Sequence, residues 1–98
     1  MPNTEYVPVD GGSVIYQLHC VKTNSCPVKI VSFGSHEYTE FPPGSFIQGA
    51  VYPIVVYKME FDPDSAEFIG YASTKNIDIN GVMTKGWMSR YINKQKKN

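Results

Sequence analysis

Cysteine is scarce in this sequence of 98 residues, and long apolar runs are missing from it. Two cysteines, Cys20 and Cys26, cannot build the multi-bridge framework that staples small secreted domains. They flank the turn-forming Thr23-Asn24-Ser25, where a hairpin could set them face to face, but a reducing cytosol favours two free thiols. No run approaches the ~20 apolar residues of a membrane-spanning helix. The opening MPNTEYVPVDGG has neither the basic start nor the apolar stretch of a signal peptide, so the chain is expected to be made in the cytoplasm. Convincing helical periodicity is also lacking. Basic residues are few until late: residues 1–84 hold nine acids against Lys22, Lys29, Lys58 and Lys75. The remaining stretch carries Lys85, Arg90, Lys94, Lys96 and Lys97 without an acid. An acidic body with a basic tail suits docking of tail to body, of copy to copy, or of tail to nucleic acid; a solvated, frayed end is the plain alternative.

What the chain does have is apolar and aromatic residues, 42% and 13%, with seven tyrosines. That is enough for one domain with a thin core. The organising stretch is EFPPGSFIQGAVYPIVVYKM, Glu40 to Met59. Pro42-Pro43-Gly44 is a turn, and the run after it is rich in β-formers. Pro53 cannot donate to a ladder, so the reading is an approach strand at Ser45 to Gln48, a kink around Gly49 to Pro53, and a central strand at Ile54 to Met59.

Either side of it, short strands alternate with turns. Ser13 to Lys22 reads as a strand with Val14, Tyr16, Leu18 and Cys20 on the core face. Cys26 to Phe33 is a second strand and Tyr38 to Phe41 a short third. Asp62-Pro63-Asp64-Ser65 is a type I turn, and Phe68 to Tyr71 returns antiparallel to Ile54–Met59. The spacing predicts an all-β fold, a small antiparallel β-sandwich or barrel. It divides into an extended N-terminal arm (1–12), a β domain (13–72) and a basic C-terminal tail (73–98). In the tail, Ile77, Ile79 and Val82 suggest a further extended segment, and Trp87 to Gln95 one or two helical turns.

The residues that could carry chemistry are few. His19, Cys20, Cys26 and His36 are ligand types, but H-C-x5-C-x9-H lacks the paired spacing of a zinc site, and adjacent His19 and Cys20 face opposite ways on a strand. Asp62, Asp64 and Glu67 cluster in a turn without the spacing of a calcium loop. No nucleophile elbow is present. No catalytic residue, metal or cofactor is therefore expected; an enzyme would need a pocket with a perturbed acid or histidine, and His19 is the one candidate. A small single-stranded nucleic-acid-binding β-barrel is the alternative, using Trp87, Arg90 and Lys94, though the acidic body would repel phosphate. An extended arm, an aromatic-bearing tail and opposite charge in tail and body fit assembly with copies of itself or other proteins, and equally a monomer whose ends pack on itself. The candidate interface residues are Tyr6 and Val7 on the arm and Trp87, Met88, Arg90, Tyr91 and Lys94 on the tail.

Within Cys26 to Tyr71, the pieces VKIVSFGSHEYTEF, PPGSF, VYPIVVYKM and DSAEFIGYA follow one another as strand, Gly turn, short strand, Pro/Gly break, apolar strand, turn and closing strand. This resembles the spike-base type of small head protein found in phages and phage-like gene transfer agents. The resemblance covers just under half the chain and rests on common β and turn residues. Three departures stand out: Lys22-Thr23-Asn24-Ser25 replaces a glycine-rich turn, the turn before the last strand is Asp-Pro-rich, and the tail from Ser73 is longer. The resemblance implies a non-enzymatic virion structural protein. Such a protein would be homo-oligomeric on the head, as spike base, decoration or connector, meeting the major capsid protein or a spike or fibre. Nucleic acid and membrane would not be among its partners.

Overall fold

The structure, a computed structural model, describes residues 3–8, 14–32, 34–72, 76–79 and 87–92. They form nine strands: β1 (Asn3–Pro8), β2 (Ile15–Lys22), β3 (Val28–Val31), β4 (Thr39–Phe41), β5 (Val51–Tyr52), β6 (Lys58–Phe61), β7 (Glu67–Ala72), β8 (Asn76–Asp78) and β9 (Trp87–Ile92). No helix occurs among the described residues. Sheet A has the order β4-β3-β6-β1-β9 and sheet B the order β5-β2-β7-β8, with every pairing antiparallel. The all-β expectation therefore holds, and the architecture is a two-sheet sandwich.

One core lies between the sheets. Sheet A contributes Tyr6, Val28, Ile30, Met59, Phe61 and Trp87; sheet B contributes Ile15, Leu18, Cys20, Phe68 and Ala72. An aromatic chain crosses it. Tyr6 stacks on Phe61 at 5.0 Å, Phe61 meets Phe68 edge-on at 5.1 Å, and Phe68 meets Phe46 edge-on at 5.4 Å. Phe46 then touches Phe41 and Tyr52. Edge-to-face pairs satisfy the ring quadrupoles as well as burying area.

The connections are welded by side chains. Asn24 is 2% exposed. Its Nδ2 donates to the carbonyls of Cys26 and Pro42, and its Oδ1 accepts from the Phe46 N–H. The turn at Pro42 closes with the Ser45 N–H on the Pro42 carbonyl, and Gly44, at φ 82°, takes the left-handed position that a side chain would strain. The Asp62 turn forms as expected, with Ser65 N–H on the Asp62 carbonyl and Asp64 N–H on Asp62 Oδ1.

Several local expectations are corrected. The central strand is Lys58–Phe61, not Ile54 to Met59. Residues 54–57 instead form the corner between sheets: Val56 N–H donates to Ile15 on sheet B, and Tyr57 N–H to Val31 on sheet A. Pro53 cannot supply a ladder N–H, and strand pairing resumes only past this corner. The approach strand at Ser45 to Gln48 is a loop, and the short strand there is β5. β7 pairs with β2 and β8, so it never returns against β6.

In β2 a register irregularity at Tyr16 resets the alternation, so Ile15, Leu18 and Cys20 face the core while Tyr16 faces out. Residues 23–27 cross from sheet B to sheet A, so Cys20 and Cys26 do not oppose each other across a hairpin, and both are free. The expected helical turns at Trp87 to Gln95 are overturned through Ile92, where the chain is strand β9; residues 93–95 lie outside the described residues. The arm is extended as expected, but residues 3–8 lie inside sheet A, between β6 and β9. β8 supplies the extended segment near Ile77 and Ile79; Val82 lies outside the described residues.

Candidate interaction surfaces

Three surfaces carry the side chains that the core does not use. The first is the outer face of sheet A. Register places Glu40, Lys29, Glu60, Glu5 and Arg90 in one row across all five strands. Glu5 and Glu60 stand directly opposite each other, an arrangement that repels unless cations and donors intervene. Here they do. Arg90 donates to Glu5 Oε1 at 2.5 Å, Lys58 Nζ lies 3.8 Å from Glu5 Oε2, the Tyr38 hydroxyl donates to Glu5, and Asn3 Nδ2 donates to Glu60 at 3.2 Å.

Tyr38 lies over this row, with the Lys58 ammonium 5.5 Å from its ring centre. Burial pushes the Glu5 carboxyl up, but the hydrogen bonds from Tyr38 and Arg90 and the charges of Lys58 and Arg90 outweigh it. The net position is below the ordinary carboxylate range. Burial, then the bond to Glu5, holds the Tyr38 hydroxyl far above its usual value. Beside the row opens a shallow cleft of about 510 Å³, with Val7, Val31, His36 and Lys58 in its lining.

The second surface is the outer face of sheet B. Val51, His19, Ile69 and Asp78 share one row, and Gln17, Tyr71 and Asn76 pair along the next. His19 Nδ1 lies 3.3 Å from the Tyr71 hydroxyl, and the two rings stack at 6.3 Å. Among the described residues, six large apolar side chains are exposed, and four of them, Tyr16, Val21, Ile47 and Val51, lie on or beside this face. Sheet B is therefore where apolar surface meets solvent.

The third is β9, at the rim of sheet A. Its one strand neighbour among the described residues is β1, with six consecutive register pairs and no irregularity.

The sequence-derived interface residues divide between these places. Tyr6 and Trp87, 5% and 3% exposed, are core residues, and their aromatic surface is consumed inside the chain. Val7 is half-buried at the cleft, and Met88 is half-buried opposite it on β9. Arg90 is engaged by Glu5, and Tyr91 is 72% exposed. Lys94 lies outside the described residues. Sequence reasoning put Tyr16 in the core, because alternation runs through the irregular β2, and gave Val21 and Val51 no part in an interface. It also missed the Glu5 cluster, whose members are far apart in sequence.

His19 and Cys20 do face opposite ways, and Cys20 is fully buried with its thiol pushed up by that burial. Among the described residues no three His, Cys, Asp or Glu side chains gather as a metal site. No described helix is long and apolar enough to cross a membrane. No family model, curated protein or solved structure matches the chain.

Proposed function

We propose that this is a non-enzymatic structural module of a phage-type virion, a homo-oligomeric head component that bridges the capsid to another part of the particle. The observation that carries the reading is the apolar outer face of sheet B, where Tyr16, Val21 and Val51 stand exposed on the sheet and Ile47 on the loop beside it. A sheet backed by an aromatic core and presenting exposed apolar side chains suits a partner protein better than nucleic acid. Lys22 on that sheet stands against Glu67, and Asp78 adds an acid, so the face has no excess of positive charge for phosphate. The sequence resemblance supplies the setting, a virion head, and the exposed face supplies the means of attachment.

The test is mass spectrometry of particles pelleted from cultures carrying the gene, with wild type or the pair Tyr16→Ser and Val51→Lys. The wild-type chain is expected in the particles, and the folded variant is expected to be lost from them. Absence of the wild type from all particles would overturn the virion reading. Equal incorporation of the variant would overturn the role given to sheet B.

A further inference from the structure

We infer that the seat of β1 between β6 and β9 is a strand-binding groove that takes β1 of a second copy as well as its own, so that neighbouring copies lock by exchanging this strand. The inference rests on the assembly reading and names one of its contacts. Both strand neighbours of β1 are distant in sequence: β6 holds it by three register pairs and β9 by six. Its onward connection, residues 9–14, leads to the opposite sheet, where β2 begins at Ile15.

The groove has the features of a site that reads a particular strand. On its outer side, side chains from three different elements converge on one carboxylate of β1. Tyr38 ahead of β4, Lys58 on β6 and Arg90 on β9 all reach Glu5. On its inner side Phe61 of β6 stacks on Tyr6 at 5.0 Å, and Tyr6 is 5% exposed. Next to them Asn3 donates to Glu60 at 3.2 Å. Charged partners outside and an aromatic seat inside favour a strand with an acid beside an aromatic residue, here Glu5-Tyr6.

None of these contacts depends on which copy supplies the strand. Exchange between two copies keeps both sets of β1 contacts and changes only the path of the connection to β2. Fully extended, residues 9–14 reach at most about 20 Å, so exchange needs copies side by side. Gly11-Gly12 in that stretch tolerates an extended path as readily as a folded-back one. In dilute solution a chain's own β1 competes at an effective concentration of about 1 mM, so the closed form prevails there. Copies crowded to that level, in a concentrated refolding mixture or side by side on a particle, take up the exchanged form.

The test uses the full chain in a Cys26→Ser background, with Cys20 buried in the core. Val7 and Met88 stand opposite each other in the β1–β9 register and are half-buried, so Val7→Cys with Met88→Cys sets two thiols within the Cα separation a disulfide tolerates. Refolded from urea at about 1 mM and oxidised, this variant is expected to give a covalent dimer bonded between positions 7 and 88, at least about tenfold more than at about 1 µM. A second measurement mixes two variants. Glu5→Arg and Arg90→Glu each oppose like charges within one chain, and only an exchanged pair of the two matches both. Co-refolded in equal amounts, they should give a heterodimer at least about tenfold above either homodimer by native mass spectrometry. Bonds only within chains at about 1 mM, or no excess of heterodimer, while the wild-type chain still oligomerises, overturns the exchange and leaves the assembly reading standing. A wild-type chain that stays monomeric up to about 1 mM, with bonds only within chains, overturns both the exchange and the homo-oligomer.

Discussion

Replacing Glu5 by glutamine tests whether the charge cluster on sheet A stabilises the fold or only decorates it. Glutamine keeps the shape and one carbonyl oxygen for the Tyr38 hydroxyl but removes the charge. The Glu5 side chain is 10% exposed, while Lys58 and Arg90 are 42% and 53% exposed. The two cationic partners are therefore screened, and each ion pair contributes below about 1 kcal/mol. The bond from Tyr38 is covered, and a hydrogen bond to a charged acceptor is worth about 1.5–3 kcal/mol against about 1 for a neutral one. The expected loss at neutral pH is about 1–3 kcal/mol, and Arg90→Gln should cost less than Glu5→Gln.

The pH dependence has a definite sign. Because the Glu5 carboxyl is held below its ordinary range in the fold, its contribution is present above the unfolded carboxylate range. It fades as pH falls through the folded value. Urea melts followed by Trp87, the single tryptophan and a buried one, read this directly. The midpoint of Glu5→Gln should lie about 0.5–2 M below wild type at pH 7, and the gap should close toward about pH 2. A gap that is unchanged across that range, or absent at pH 7, would show that the charge on Glu5 does not stabilise the sheet.

Gly70→Ala should overpack the core, because a Cβ there would lie 2.3 Å from Ile15 Cδ1; a loss of about 1–3 kcal/mol, read as a lower Tm, should shrink when Ile15→Val removes that methyl. Asn24→Ala removes the acceptor of the Phe46 N–H and the side-chain donor to the Cys26 and Pro42 carbonyls and should cost about 2–4 kcal/mol by chemical denaturation, more than any surface substitution. A thiol reagent should label Cys26 at native rates and Cys20 only on unfolding, since Cys20 is buried with its thiol pushed up; equal rates would contradict the packing. Spectrophotometric titration should leave Tyr6 un-ionised until about pH 12, and the stability tied to its neutral form should be lost as pH rises from about 10 through that value.

Local chemistry was legible in the sequence wherever a few adjacent residues decide the outcome. The Asp62 turn, the Pro42-Pro43-Gly44 turn, the inward Leu18 and Cys20, and the all-β class follow from turn residues and period-two alternation. Faces were misread where one residue of irregularity resets the alternation, as at Tyr16. Partners were misread where pairing is long-range. Nothing in Phe68 to Tyr71 says that it pairs with β2 in the opposite sheet and not with β6, the strand just before it. The Glu5 cluster was illegible for the same reason, since Glu5 and Arg90 are 85 positions apart.

The termini show how that limit bears on function. Read as free ends, Tyr6 and Trp87 are anchors waiting for a partner. In the fold they are partners within one chain, because β1 pairs with β6 on one side and β9 on the other, and both side chains enter the same core. A chain ending at Ala72 would lose β8, β9, Trp87 and the guanidinium on Glu5. It would also leave β1 as a new edge of sheet A. Such a truncation would create sticky surface and remove core at once, so its association could not report on the native contact. The exposed apolar side chains that the core leaves over include Tyr16 and Val51 on sheet B and Tyr91 on β9. Substitutions at these three exposed positions should therefore test the proposed assembly without first disturbing the fold.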